Sequence, residues 1–191
     1  MTETEKIKSL VLAPYIIKAT ALIGKQRGVG GNQFRHAMAT MAILLDYKFF
    51  DDHILLKASV IHDLLEDVPE TNVFEIRIIE GQADDVLALV KEVTRPADMP
   101  KELYLKNILE NGSYRAKVLK CADRISNLTD LNTDTHSVKK INDYLDETEK
   151  WVLPMAQQVN QDMFRELSDL IISRRKYARC ASGLEPENAS E

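Results

Sequence analysis

The sequence predicts a single all-α domain, and three observations carry that expectation. Apolar residues recur at helical spacing almost throughout. The periodic segments are separated by glycine, proline and Asn-Gly signals of the kind that stop helices. No stretch reads as a β-hairpin. With 191 residues, 45% apolar and 29% charged, the chain is long enough to bury a full core. The pattern fits a bundle of roughly eight to ten helices. The expected domain spans 1–178, and the small, polar, acidic stretch 179–191 is expected to be a disordered tail.

Leu12, Tyr15, Ile16, Ala19, Leu22 and Ile23 form one buried helical face, which "GVGG" ends at Gly28–Gly31. A second helix is predicted from Gln33 to Leu45, with Met38, Met41, Ala42 and Leu45 inward. Asp51 or Asp52 caps a third, which runs to Pro69 because proline cannot continue a helix. Thr71 or Asn72 starts a short fourth that stops at Gly81. A fifth covers 83–94 and a sixth 101–110, closed by Asn111-Gly112. Ser113 opens a long apolar-periodic stretch to Leu131. The segment 138–176 reads as two more helices, with Pro154 a kink or boundary.

Composition narrows the function classes. A net charge of −5 argues against a general nucleic-acid surface but leaves room for a local basic patch. The opening "MTETEKIKSL" has acids and no long apolar run, so neither a secretory signal nor a membrane partner is expected. Cys121 and Cys180 are far apart and in no metal spacing, which fits a reducing, cytoplasmic setting.

The chemistry is concentrated in "VIHDLLEDVP", residues 60–69. On one helix His62 and Glu66, Asp63 and Glu66, and Asp63 and Asp67 are three or four apart, so all four fit a modest arc. Their neighbours are apolar, and buried carboxylates need a partner or a cation. A divalent metal meets that need, and nitrogen with carboxylate oxygen suits Mn²⁺, Fe²⁺ or Zn²⁺. The plainer alternative is a polar helix end before a proline. His36 in "FRHAMATM" and Asp123 in "KVLKCADRISNL" add a second imidazole and another carboxylate, both within apolar helices. The ordered set supplies two nitrogens and two carboxylates for one metal.

That order, His … His-Asp … Asp, resembles the HD-domain metal-dependent phosphohydrolases. "HDLLEDVPET" is similar to the His-Asp-x-x-Glu-Asp signature of the hydrolase domain of RelA/SpoT proteins and of small alarmone hydrolases, the Mesh1-like group. "KVLKCADRISNLTDL", "FEIRIIEGQADDVLALVKEVT" and "ETEKWVLPMA" resemble further family segments, so the likeness covers roughly residues 10–160. It implies an HD-domain helical bundle. It implies removal of the 3′-pyrophosphate from guanosine tetra- or pentaphosphate (ppGpp, pppGpp), with one Mn²⁺ per chain or another divalent ion. His36, His62, Asp63 and Asp123 would bind the metal, and Glu66 and Asp67 would act on the attacking water, in an order left open. Lys25, Arg27, Arg35, Lys120 and Asn127 would contact the nucleotide, with Arg124 either joining them or making a structural salt bridge. The glycine-rich loop before Asn32 reads either as a phosphate-approaching turn or as a connection.

Three positions depart from the family pattern: Ala37 stands for a proline, Asn32–Phe34 for a proline-tyrosine pair, and Thr129 for an arginine. They bear on the nucleotide pocket, so ppApp, another nucleotide or NADPH stays open as substrate of a generic HD phosphohydrolase. A nucleotide sensor without turnover is the third reading.

Overall fold

The computed structural model describes residues 2–181. Helices account for most of it, and among the described residues the only β-type pairing is one isolated bridge, Gln26 with Asn32. A short α1 (Glu3–Lys8), which the apolar periodicity did not reveal, is held by a capping box between Thr2 and Glu5. α2 (Ala13–Ala19) tightens into a 3₁₀ turn over Thr20–Gly24, and Tyr15, Ala19 and Leu22 point inward. The chain then reverses in the glycine loop. Arg27 N–H donates to Gly31 O and Gly30 N–H to Arg27 O, with Gly30 and Gly31 at φ +93° and +71°. Side chains rarely adopt that backbone, which explains glycine at both places.

Asn32 caps α3 (Gln33–Asp46) by accepting from Arg35 N–H, so a position that departs from the family pattern has a local structural task. Asp52, one of the two candidates, caps α4 (His53–Ile61). Here the structure corrects the expectation of one helix running to Pro69. The helix breaks at His62–Asp63 and resumes as the single turn α5 (Leu64–Asp67). The cause is local: His62 Nδ1 lies 2.7 Å from the Ser59 carbonyl. A continuous helix would have given that carbonyl to the Asp63 amide.

α6 (Val73–Arg77), capped by Asn72, and α7 (Ala83–Val93) follow, then α8 (Lys101–Asn111). α9 (Tyr114–Asp130), capped by Ser113, is the central helix, buried over much of its circumference. It packs against α3, α4, α7, α11 and α12. α10 (Val138–Glu147) passes through a π turn, Thr148–Val152, into α11 (Leu153–Val159). Pro154 sits in the first turn of α11, a boundary rather than a mid-helix kink. Leu153 N–H therefore reaches back five residues to Thr148 O.

α12 (Gln161–Ala181) closes the bundle and extends three residues into the expected tail, because the helix continues through Arg179 and Cys180. The remainder of that tail, 182–191, lies outside the described residues. None of the described helices is long and apolar enough to cross a membrane.

Candidate active site

α3, the α4–α5 junction and α9 converge on one point. One ligand atom from each of His36, His62 and Asp123 lies within 4.8 Å of the others. His36 Nε2 and Asp123 Oδ1 are 3.0 Å apart. Asp63 Oδ2 stands 3.6 Å from His36 Nε2 and 3.2 Å from His62 Nε2. The two rings meet edge-on, with centroids 5.3 Å apart.

Both imidazoles are fixed from behind. The Ser59 carbonyl can only accept, so His62 Nδ1 carries the proton and the neutral ring offers its Nε2 lone pair to the cluster. That Nε2 is buried and has no hydrogen-bond partner among the described residues, despite the nearby Asp63 carboxylate. His36 Nδ1 lies 3.0 Å from Ser126 Oγ, a hydroxyl able to accept from it and so leave Nε2 for a metal. An unpartnered buried nitrogen, a second imidazole and two carboxylates facing one point fit a divalent cation.

The charges conflict when no cation is bound. Burial pulls the His62 pKa down, but the charges of Asp63 and Asp123 outweigh it and raise it to about 9. Burial works against ionised Asp123, yet the Lys120 ammonium, followed by His36 and His62, holds its carboxyl well below the usual range. Asp63 is likewise lowered: burial opposes its charge and His62 prevails.

Asp123 is tied on both oxygens. Lys120 Nζ sits 2.8 Å from Oδ2, and Asn127 Nδ2 donates to Oδ1 at 2.6 Å. Asn127 Oδ1 in turn accepts from Arg27 Nη2 at 2.8 Å, and Arg27 Nη1 also pairs with Asp130. The glycine loop is thus pinned to the end of α9.

A cleft of about 640 Å³ opens over the cluster. Arg27, His36, Asp63, Glu66, Asp67, Lys120, Asp123, Arg124 and Asn127 line it, and His62 lies buried beneath. Because the helix breaks at His62, residues 60–69 do not form a single stripe, but Asp63, Glu66 and Asp67 still face one cavity. Glu66 is exposed and turned toward Arg95, whose amide donates to Oε2 at 3.3 Å. Asp67 is half-buried, and burial followed by the Asp63 charge raises its pKa.

Lys25 and Arg35 do not line the cleft. Lys25 ends the 3₁₀ turn, before the Gln26–Asn32 bridge carries the chain to the cavity. Arg35 neighbours His36 in sequence and so faces another side of α3, where it is exposed against Gly31. Arg124 is only 1% exposed, donates to Thr148 Oγ1 at 2.6 Å and Glu147 Oε1 at 2.8 Å, and lies 4.1 Å from the Tyr144 ring centroid. Its two terminal nitrogens hold α9 to α10 and the π turn, while its buried Nε has no hydrogen-bond partner among the described residues.

Sequence reasoning missed Gln33, Ser59 and Ser126 beside the cluster, and Lys101, Lys140 and Tyr144 on the far wall. Helical spacing could have found the two serines, each three residues from a proposed ligand. The far wall comes from α8 and α10, where no motif marks it.

No protein-family model matches the chain. The guanosine-3′,5′-bis(diphosphate) 3′-pyrophosphohydrolase MESH1 of Mus musculus is 29% identical over 151 residues, 76% of this chain and 82% of that protein. MESH1 of Homo sapiens is 31% identical over 109 residues, and that of Xenopus tropicalis 34% over 103. These two matches span only 59% and 56% of the relatives' own lengths. A solved structure described as a metazoan ortholog of SpoT that hydrolyses ppGpp superposes with a TM-score of 0.71 at 23% identity, covering 85% of this chain and 93% of that one. In sequence the chain is similar to the MESH1 proteins, and it shares the all-helical fold of the SpoT ortholog.

Proposed function

We propose that this chain is a metal-dependent hydrolase that removes the 3′-pyrophosphate from guanosine alarmones, ppGpp and pppGpp. The MESH1 proteins it resembles carry that activity in their name, and the SpoT ortholog of like fold is described as hydrolysing ppGpp. One observation in the chain carries the reading: Glu66 and Asp67 line the same cleft as His36, Asp63 and Asp123. A metal cluster alone serves many phosphate hydrolyses, whereas an acid pair beside it adds groups that handle protons.

His36, His62, Asp63 and Asp123 are the ligands assigned to one Mn²⁺ per chain; mixed nitrogen and carboxylate donors suit that ion. When bound, such an ion supplies Lewis acidity to a phosphoryl oxygen and lowers the pKa of a water. The chain does the rest. Ser59 holds the His62 imidazole in the ligating tautomer, and Ser126 Oγ orients the His36 ring at its Nδ1. Glu66 and Asp67 flank the attacking water, take its proton and return one to the leaving 3′-oxygen. Arg27 and Asn127 present a guanidinium and an amide to the nucleotide, while Lys120 spends its charge on Asp123. Arg124, held by Thr148 and Glu147 through its two terminal nitrogens, is assigned to structure. A reducing cytoplasm suits Cys121 and Cys180, which are unbonded among the described residues.

The test is a substrate panel with Mn²⁺: ppGpp, pppGpp, ppApp and NADPH, with products identified. Pyrophosphate release from ppGpp or pppGpp is expected. Release of single phosphates only would overturn the reading.

A further inference from the structure

Gln33 stands in the first turn of α3, one turn ahead of His36, and it lines the cleft. Its Nε2 donates to Asp67 Oδ2 at 2.8 Å. Its own backbone N–H donates to Lys25 O at 2.9 Å, at the base of the glycine loop. The contact thus joins the helix that delivers His36, the loop that delivers Arg27, and one member of the acid pair.

The acid pair is not symmetric. Glu66 Oε2 accepts from the Arg95 amide at 3.3 Å, and the side chain is 40% exposed at the rim. Asp67 is deeper and has one oxygen engaged by Gln33, which leaves Oδ1 for a water or a leaving oxygen. A primary amide is suited to this task. It donates to a carboxylate without adding charge to a site already crowded with ions, and its fixed hydrogen bond limits the carboxylate's rotation.

We infer that Gln33 is a positioning residue that holds Asp67 in one orientation facing the cleft, making Asp67 rather than Glu66 the carboxyl that moves the proton. The inference rests on the hydrolase reading above and assigns the roles which that reading leaves open. Gln33 itself touches neither the metal cluster nor the reacting atoms. Its effect on rate passes through Asp67 alone.

The experiment compares Gln33→Leu, which removes the donor at similar size, with Gln33→Lys, which restores one. Wild-type release of pyrophosphate from ppGpp is measured first, since its absence counts against the function and not against the contact. In Gln33→Leu, kcat is expected to fall about tenfold, with KM within twofold and with Mn²⁺ affinity and melting temperature unchanged. Gln33→Lys is expected to recover part of the loss, because it restores the donor but adds a charge. Crystal structures of both variants read the contact independently of turnover. Asp67 should leave its present orientation in Gln33→Leu and regain it in Gln33→Lys. An unchanged Asp67 in Gln33→Leu overturns the inference, as does an unchanged kcat in an active enzyme. A rise in KM alone, or lost Mn²⁺ affinity, also overturns it, because Gln33 would then act on substrate or on the metal cluster.

Discussion

His62 donates from Nδ1 to the carbonyl of Ser59 at 2.7 Å, and this one bond has two consequences. It takes the carbonyl that would have continued α4, and it turns the ring's other nitrogen, without a hydrogen-bond partner among the described residues, into the cluster with Asp63 and Asp123. Ser126 Oγ stands behind His36 as well, 3.0 Å from its Nδ1. Removing a group behind a ligand typically costs about 10–100-fold in metal affinity. Ser126→Ala is therefore expected to weaken Mn²⁺ binding by about tenfold in calorimetry while leaving the fold intact. Asp63→Ala, which removes a carboxylate from the cluster itself, should abolish binding and turnover together. Unchanged affinity in Asp63→Ala would remove that residue from the ligand set.

The metal-free protein carries a pH signature. The His62 pKa rises from 6.5 to about 9 on folding, despite the opposing effect of burial. A raised imidazole pKa stabilises the fold fully below its unfolded value, and the contribution is lost as pH climbs toward the folded one. Melting temperature measured in chelator should fall between about pH 6.5 and pH 9. Asp63 and Asp123 have the opposite sign: their lowered values stabilise the fold above the unfolded carboxylate range, and that contribution fades as acid protonates them. Mn²⁺ competes with the His62 proton, so its affinity should rise over the window in which chelated stability falls. A flat melting profile from pH 6.5 to 9 would contradict this coupling.

The acid pair separates chemistry from metal binding. Asp67→Asn keeps volume and removes the group able to take a proton, so kcat should drop by about 10²–10⁴ with Mn²⁺ affinity retained. Glu66→Gln should also retain the metal and lose rate, by a smaller factor, because Glu66 sits exposed at the rim against Arg95. Calorimetry alongside steady-state kinetics decides it. Lost metal in either variant would make that carboxylate a ligand instead.

Legibility in the sequence followed from how local each signal was. Asn72 and Ser113 cap their helices, as does Asp52 from the Asp51–Asp52 pair, and α3 starts at the expected Gln33. These are decided by a few neighbouring residues and could be read. The converging His36, His62 and Asp123 could be read too, because buried ionisable groups within apolar helices need a common explanation. The break at His62 could not, since a side chain taking a backbone carbonyl leaves the apolar period unchanged. Arg35 was misplaced for a related reason: neighbours in sequence diverge on a helix, so nearness to His36 does not bring it to the cleft. The far wall, with Lys101 and Tyr144, depends on how α8 packs on α9 and α10 on α12, a tertiary relation without a local mark.

The two arginines that line the cleft should part in their behaviour. Arg124 is buried, with donors on Thr148 and Glu147 and its face against Tyr144. Truncating one partner of a buried ion pair leaves the other charge uncompensated and costs about 3–5 kcal/mol. Arg124→Ala should therefore lower the melting temperature by many degrees, and Arg124→Lys should not restore it, since one ammonium cannot reproduce two directed bonds and a stacked plane. Arg27 is anchored differently. It comes from the glycine loop with its side chain 9% exposed, pairs with Asn127 and the exposed Asp130, and lines the cavity. Arg27→Ala should raise KM for ppGpp by about tenfold with kcat nearly unchanged, the pattern of a group that binds substrate and transition state alike, and should lower the melting temperature by less than Arg124→Ala, because its partner Asp130 is exposed. Melting curves and kinetics on both variants distinguish the roles, and a stability loss in Arg27→Ala equal to that of Arg124→Ala would refute the assignment.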